Sequence, residues 1–154
     1  MTRRLLLPCL AAALASLLCA QGHKPKIFAQ RLVEIEMEKH PDLLIIAFHV
    51  TPPGEKDNII IASNIGRIGK KADEDDMRVI NTGKPNLEVN ATGDHFEVQM
   101  AQRDKAGKII GALAVVFPYK EGMEKEKLHA KGEEIRKEIE AQAPTLAKLF
   151  ETAK

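Results

Sequence analysis

The chain has 154 residues, 23 Lys and Arg against 22 Asp and Glu, one Tyr and no Trp. A near-neutral balance with so few aromatic rings argues against nucleic acid, which asks for a basic footprint and stacking side chains. The length suffices for one domain with a real core.

Residues 1–20 read as a signal peptide. Arg3 and Arg4 give a basic start, residues 5–18 an apolar run, and Ala20 a small residue at the cleavage edge. The run is short of the roughly 20 residues that span a bilayer, and no second one follows. The mature chain is therefore expected to be periplasmic or secreted, with no membrane span. Cys19 raises a lipid anchor as the minority alternative, but Ser16, Leu17 and Leu18 lack the small residue expected beside a lipidated cysteine. Cys9 and Cys19 both leave with the leader, so no disulfide, thiol nucleophile or thiolate metal site remains.

Residues 25–40 predict a helix, opened by Pro25, with Phe28, Leu32 and Ile35 on one face. Pro41 forces His40 out of the helical region. Residues 43–50 form an apolar run interrupted only by His49, which suits a strand covered on both faces. Pro52, Pro53 and Gly54 turn the chain into a second strand, 58–63, followed by a glycine-punctuated basic loop, 64–72. Asp73 caps a short helix to Asn81, with acids in its first turn, and Gly83 and Pro85 stop it. Leu87 and Val89, then Phe96, Val98 and Met100, alternate with polar residues as a hairpin with one wet face.

The strand at 109–117 is apolar throughout and is expected mid-sheet, beside residues 43–50. Residues 120–154 follow as a charged helix carrying a stripe of Leu128, Ile135 and Ile139, then a last piece with Leu146, Leu149 and Phe150. The stripe is too short for a coiled coil. This order predicts an α+β domain built on a five-stranded antiparallel sheet, with a long N-terminal helix, a short flap helix and a C-terminal helix.

Three segments carry a resemblance. They are 59–71, which runs from Ile59 through Ser63, Asn64, Gly66, Arg67, Ile68 and Gly69 to Lys71; the acidic start 73–76; and 104–117, which ends in the apolar strand. Together with the N-terminal helix they resemble the single-Cache family, the extracellular PAS-like sensor domains of bacterial receptors. The resemblance covers about 25–119 and rests on structural motifs. It implies a Cache/PAS-like ligand-binding domain at 21–119 with a helical extension at 120–154. The family's carboxylate sensors place Arg and His before their Ile-Gly-Lys segment, where this chain has Ile61 to Asn64. Family receptors also continue into a membrane helix, whereas Tyr119 is followed by a polar helix. The resemblance thus implies a free-standing sensor that signals through a membrane receptor partner or as a homodimer.

Arg67 and Lys70 lie on the loop that the family folds over its pocket, and Gly66 and Gly69 allow close backbone approach there. They suit an anionic ligand such as a carboxylate, or else form a solvated basic loop answering the acids at 73–76. Lys71 fits the second role better. Ser63 and Asn64 either orient a ligand or cap the turn. His49 is a pocket floor or a satisfied core histidine, and Tyr119 a pocket rim or an anchor for the last helix. His23, His40 and His129 lie far apart and are read as having no partner at helical metal-ligand spacing such as i, i+4, so no metal site is expected, and no cofactor motif is present. Without a nucleophile elbow or nucleophile–base pair, the expectation is a binding protein and not an enzyme. A small-molecule sensor leads; a protein-interaction or dimerisation module using the C-terminal stripe is the alternative.

Overall fold

The computed structural model describes residues 26–153; the signal-peptide reading lies outside them. The helices are α1 (Phe28–Lys39), α2 (Glu74–Thr82), α3 (Lys125–Gln142) and α4 (Leu146–Leu149). The strands are β1 (Ile45–Val50), β2 (Ile59–Ser63), β3 (Asn86–Val89), β4 (His95–Arg103) and β5 (Ile109–Pro118). They form one antiparallel sheet in the order β2-β1-β5-β4-β3. The most continuously apolar strand, β5, does take the centre beside β1, because both of its faces are covered.

The two faces differ in kind. On one, Phe48, Leu113, Val115, Phe117, Phe96 and Val98 are buried against Leu32 and Val33 of α1, Ile135 and Ile139 of α3 and Leu149 of α4. Gly132 is what lets α3 lie this close. A Cβ there would sit 3.1 Å from Val98 Cγ1 and 3.2 Å from Val115 Cγ2. The stripe that the interaction-module alternative would dock on a partner is thus spent internally: Ile135 and Ile139 are fully buried, and Leu128 packs partly on the same core. On α1 the buried face is Ala29, Leu32, Val33 and Glu36, while Ile35 is only half-buried. An apolar-spacing argument cannot anticipate a buried glutamate in that row.

The second face carries small residues, Ala47, Ala101, Ala112 and Ala114, and α2 is the one described helix that covers it. Val79 of α2 packs on Ala101 and Ala112, and Ile80 and Ile109 flank them. Elsewhere the small side chains leave room. The β1–β2 pairing slips between Phe48 and His49, so Ile61 and Ala62 both join the first face while Ile60 and Ser63 line the second. The basic loop folds back along the β2 edge: Ile60 N–H donates to Lys70 O at 2.9 Å, Gly69 N–H to Ile60 O at 2.8 Å, and Ala72 N–H to Asn58 O at 2.9 Å. That return covers a strand edge that would otherwise be open to pairing.

Candidate functional site

The gap between the second face, α2 and the basic loop is a cleft of about 220 Å³. Its floor is Ala47, Ala114 and Val116, with Ile45 and Ile60 beside them. Cations and acids both line it. Arg67 and Lys70 come from the loop at the β2 edge, whereas Glu88 of β3 and Glu97 of β4 stand at the opposite edge of the sheet. Asp73, Asp75 and Asp76 line it from the start of α2. Arg67 and Lys70 make no ion pair among the described residues, while Lys71 is held by Asp57 at 2.7 Å. Arg67 adopts φ 64°, a left-handed conformation uncommon outside glycine, between Gly66 and Gly69, which are also positive.

Asp76 organises the cleft. Its backbone N–H donates to Asp73 Oδ1 and its Oδ2 accepts from the Asp73 N–H, both at 3.1 Å, closing a capping box. The same carboxylate reaches the sheet on both sides. Gln99 Nε2 donates to Oδ1 at 3.1 Å, and His49 Nδ1 lies 3.0 Å from Oδ2. That last contact is close but not aligned as a hydrogen bond. Gln99 Oε1 in turn accepts from Asn86 Nδ2 at 2.9 Å, and Asn86 Oδ1 from Arg78 at 2.8 Å. One polar chain therefore ties α2 to β1, β4 and β3.

Burial would raise the Asp76 carboxyl, but its contacts with His49, then with Asp73, outweigh that and hold it below its ordinary 3.8. Glu97 goes the other way. Burial first, then the negative charges of Asp76, Glu88 and Asp73, push it above 4.5. Ionisation of folded Glu97 therefore costs stability, a cost that grows as pH rises from 4.5 towards the raised pKa and is full above it. Glu97→Gln is expected to melt higher than wild type at neutral pH, with the gain shrinking towards pH 4.5. Paired melting curves across that range measure it, and a gain independent of pH would contradict the cause given.

Of the six residues singled out from sequence, His49, Ser63, Arg67 and Lys70 line the cleft. Asn64 and Tyr119 do not. The Asn64 amide is spent on β1, accepting from Ile46 N–H and donating to Leu44 O, both at 2.9 Å, because it ends β2 beside that strand. Tyr119 belongs to the first face, packed against the core with its ring 5.9 Å from that of Phe96. A strand exit can serve either face, and the pleat puts Tyr119 in register with Phe117 and Val115. Ser63 Oγ accepts from Ile65 N–H at 3.2 Å, while its backbone N–H and C=O are both bonded by Gln30 of α1.

Sequence reasoning missed Asp76, Glu88, Glu97 and Gln99. The acids at 73–76 read as dipole partners of a helix start, and the polar face of the hairpin as wet. The usable signal was a glutamine and a glutamate alternating with core residues along β4, on a face that α2 would cover.

No protein-family model and no curated protein matches the chain. Among solved structures, it is similar to the A. aeolicus nlh2 GAF domain in an inactive state, with a TM-score of 0.59 at 13% identity over 77% of this chain and 85% of that one. The fold is that of a GAF/PAS-like domain. The Agobacterium tumefaciens repressor BlcR is also similar, with a TM-score of 0.48 at 13% identity over 73% of this chain and 64% of that one.

Proposed function

We propose that this domain binds a small polar metabolite carrying both charges, an amino-acid-like zwitterion, in the cleft between the sheet and the basic loop, and acts as a sensor module. The observation that carries this reading is that the cleft holds both charges: Arg67 and Lys70, without an ion pair among the described residues, at the β2 edge, and Glu88 and Glu97 towards the other. A purely anionic ligand, expected from the loop alone, would meet five carboxylates in the same space. At about 220 Å³ the cleft suits a ligand smaller than drug size. The Asp76 network fixes α2, whereas the loop hangs on a few backbone bonds and is the segment that would close on the ligand. A closure signals only as far as the ligand prefers the closed state.

The GAF/PAS-like fold and the Cache resemblance support a sensor role, and if residues 1–20 act as a leader the ligand is met outside the cytoplasm. A membrane receptor or a second copy would then carry the signal. The interaction-module reading loses its docking stripe to the core.

The test is a thermal-shift panel of amino acids, amines, dicarboxylates, purines and sugars. Amino acids at about a hundred times their dissociation constant are expected to raise the midpoint by several degrees. The double change Arg67→Ala, Lys70→Ala is expected to abolish that shift while leaving the ligand-free midpoint within about 2 °C, since both side chains are exposed. A dicarboxylate that shifts the midpoint more than any amino acid would overturn the zwitterion.

A further inference from the structure

On the other side of the sheet, where α1 meets α3, three donors converge. Glu36 and His40 stand one turn apart on and just after α1, and Glu138 faces them from α3. Each offers one donor atom, and the three lie within 4.8 Å of one another. His40 Nε2 is 3.5 Å from Glu36 Oε2 and 3.4 Å from Glu138 Oε2.

The two histidine–carboxylate spacings suit a small ion. Bonds of about 2.0–2.1 Å from a tetrahedral zinc to nitrogen and oxygen put neighbouring donors roughly 3.3–3.4 Å apart. The second observation is Glu36 itself. It is fully buried, and its Oε2, the atom aimed at His40, has no hydrogen-bond partner among the described residues. Its other oxygen accepts from Gln142 Nε2 at 3.2 Å, which orients the carboxylate as an outer partner does in metal sites. A buried carboxylate oxygen without a partner is costly unless a proton or a cation meets it.

We propose that Glu36, His40 and Glu138 form a Zn²⁺ site at the junction of α1 and α3. The carboxylates and one imidazole supply three ligands, and water takes the fourth position on the open side, where Glu138 is one-third exposed. Lys39 is the competing cation. Its Nζ lies 3.0 Å from Glu138 Oε2 and 3.8 Å from Glu36 Oε1. It is half exposed, so the ion must displace only a weak surface pair. A hard oxygen-seeking ion fits less well, because a histidine takes one corner. The ion would pin the N-terminal helix to α3 independently of the ligand cleft.

The experiment is thermal unfolding of the full chain carrying Cys9→Ser and Cys19→Ser, which removes competing thiolates, with ZnCl₂ or MgCl₂ added at neutral pH. Zn²⁺ at about a hundred times its dissociation constant is expected to raise the midpoint by roughly 5–10 °C, and Mg²⁺ is expected to do much less. His40→Gln and Glu138→Gln, both at partly exposed positions, are each expected to weaken the Zn²⁺ response at least about tenfold. Lys39→Ala is expected to keep or strengthen it. No response to Zn²⁺, an equal response to Mg²⁺, or a Zn²⁺ response that survives both glutamine variants would overturn the site.

Discussion

Asp76→Ala is expected to destabilise the protein by about 3–5 kcal/mol. Three losses add. The capping box at the start of α2 disappears, at about 1 kcal/mol. Gln99 Nε2, on a buried side chain, loses its acceptor, at about 1–3 kcal/mol, and His49 Nδ1 loses a carboxylate 3.0 Å away that it meets without a hydrogen bond, at about 1 kcal/mol. For a chain of this length that is a midpoint lower by about 10 °C. The effect has a pH signature. Because the folded carboxyl sits below its ordinary 3.8, its stabilisation is complete above that value and is lost as pH falls through the folded pKa. The gap between Asp76→Ala and wild type should therefore be full at neutral pH and narrow below 3.8. Chemical denaturation of both proteins at neutral and acid pH measures it. A loss under about 1 kcal/mol at neutral pH would mean that Asp76 only caps its helix and does not hold α2 to the sheet.

Truncation after Gly122 is expected to abolish folding. A dimerisation helix could be removed at no cost to the domain, but α3 and α4 bring Ile135, Ile139, Ala143 and Leu149 to the core, all at most 1% exposed. Replacing a single buried Leu or Ile by Ala costs about 2–5 kcal/mol. Losing three such side chains, and uncovering Val98, Met100 and Val115 beneath them, takes away as much as the 5–15 kcal/mol that typically holds a domain together. Far-UV circular dichroism of residues 21–122 should show a largely unfolded chain. Ile139→Ala in the full chain is the milder control, expected to cost about 2–5 kcal/mol and leave the fold in place. A folded, cooperatively melting truncation would return residues 120–154 to the status of an appendage.

Local chemistry alone determined much of this protein. Element order, the capped helix after the basic loop, its glycine stop, and the central place of the last strand all follow from periodicity, caps and turn residues within a few positions of each other. His49, Ser63, Arg67 and Lys70 were legible as candidates because they stand out against their own neighbours: a histidine in an apolar strand, cations between glycines. What the sequence could not decide is which face a side chain serves and what faces it there. Tyr119 and Asn64 were ambiguous because a strand exit or a strand end borders both faces. Glu97 and Gln99 looked solvated until α2 covered their side of the sheet.

The α1–α3 cluster shows the same boundary more sharply. Glu36 and His40 are one helical turn apart, so the expectation that His40 has no partner at i, i+4 spacing is wrong on the sequence itself. Glu138, about a hundred residues away, has no sequence relation to them, and sheet packing alone brings it to 3.4 Å from His40. Periodicity fixes which residues share a face of one element. Which faces meet is a property of the packed core, and for this protein that packing decided both the charge pattern of the cleft and the convergence of donors behind it.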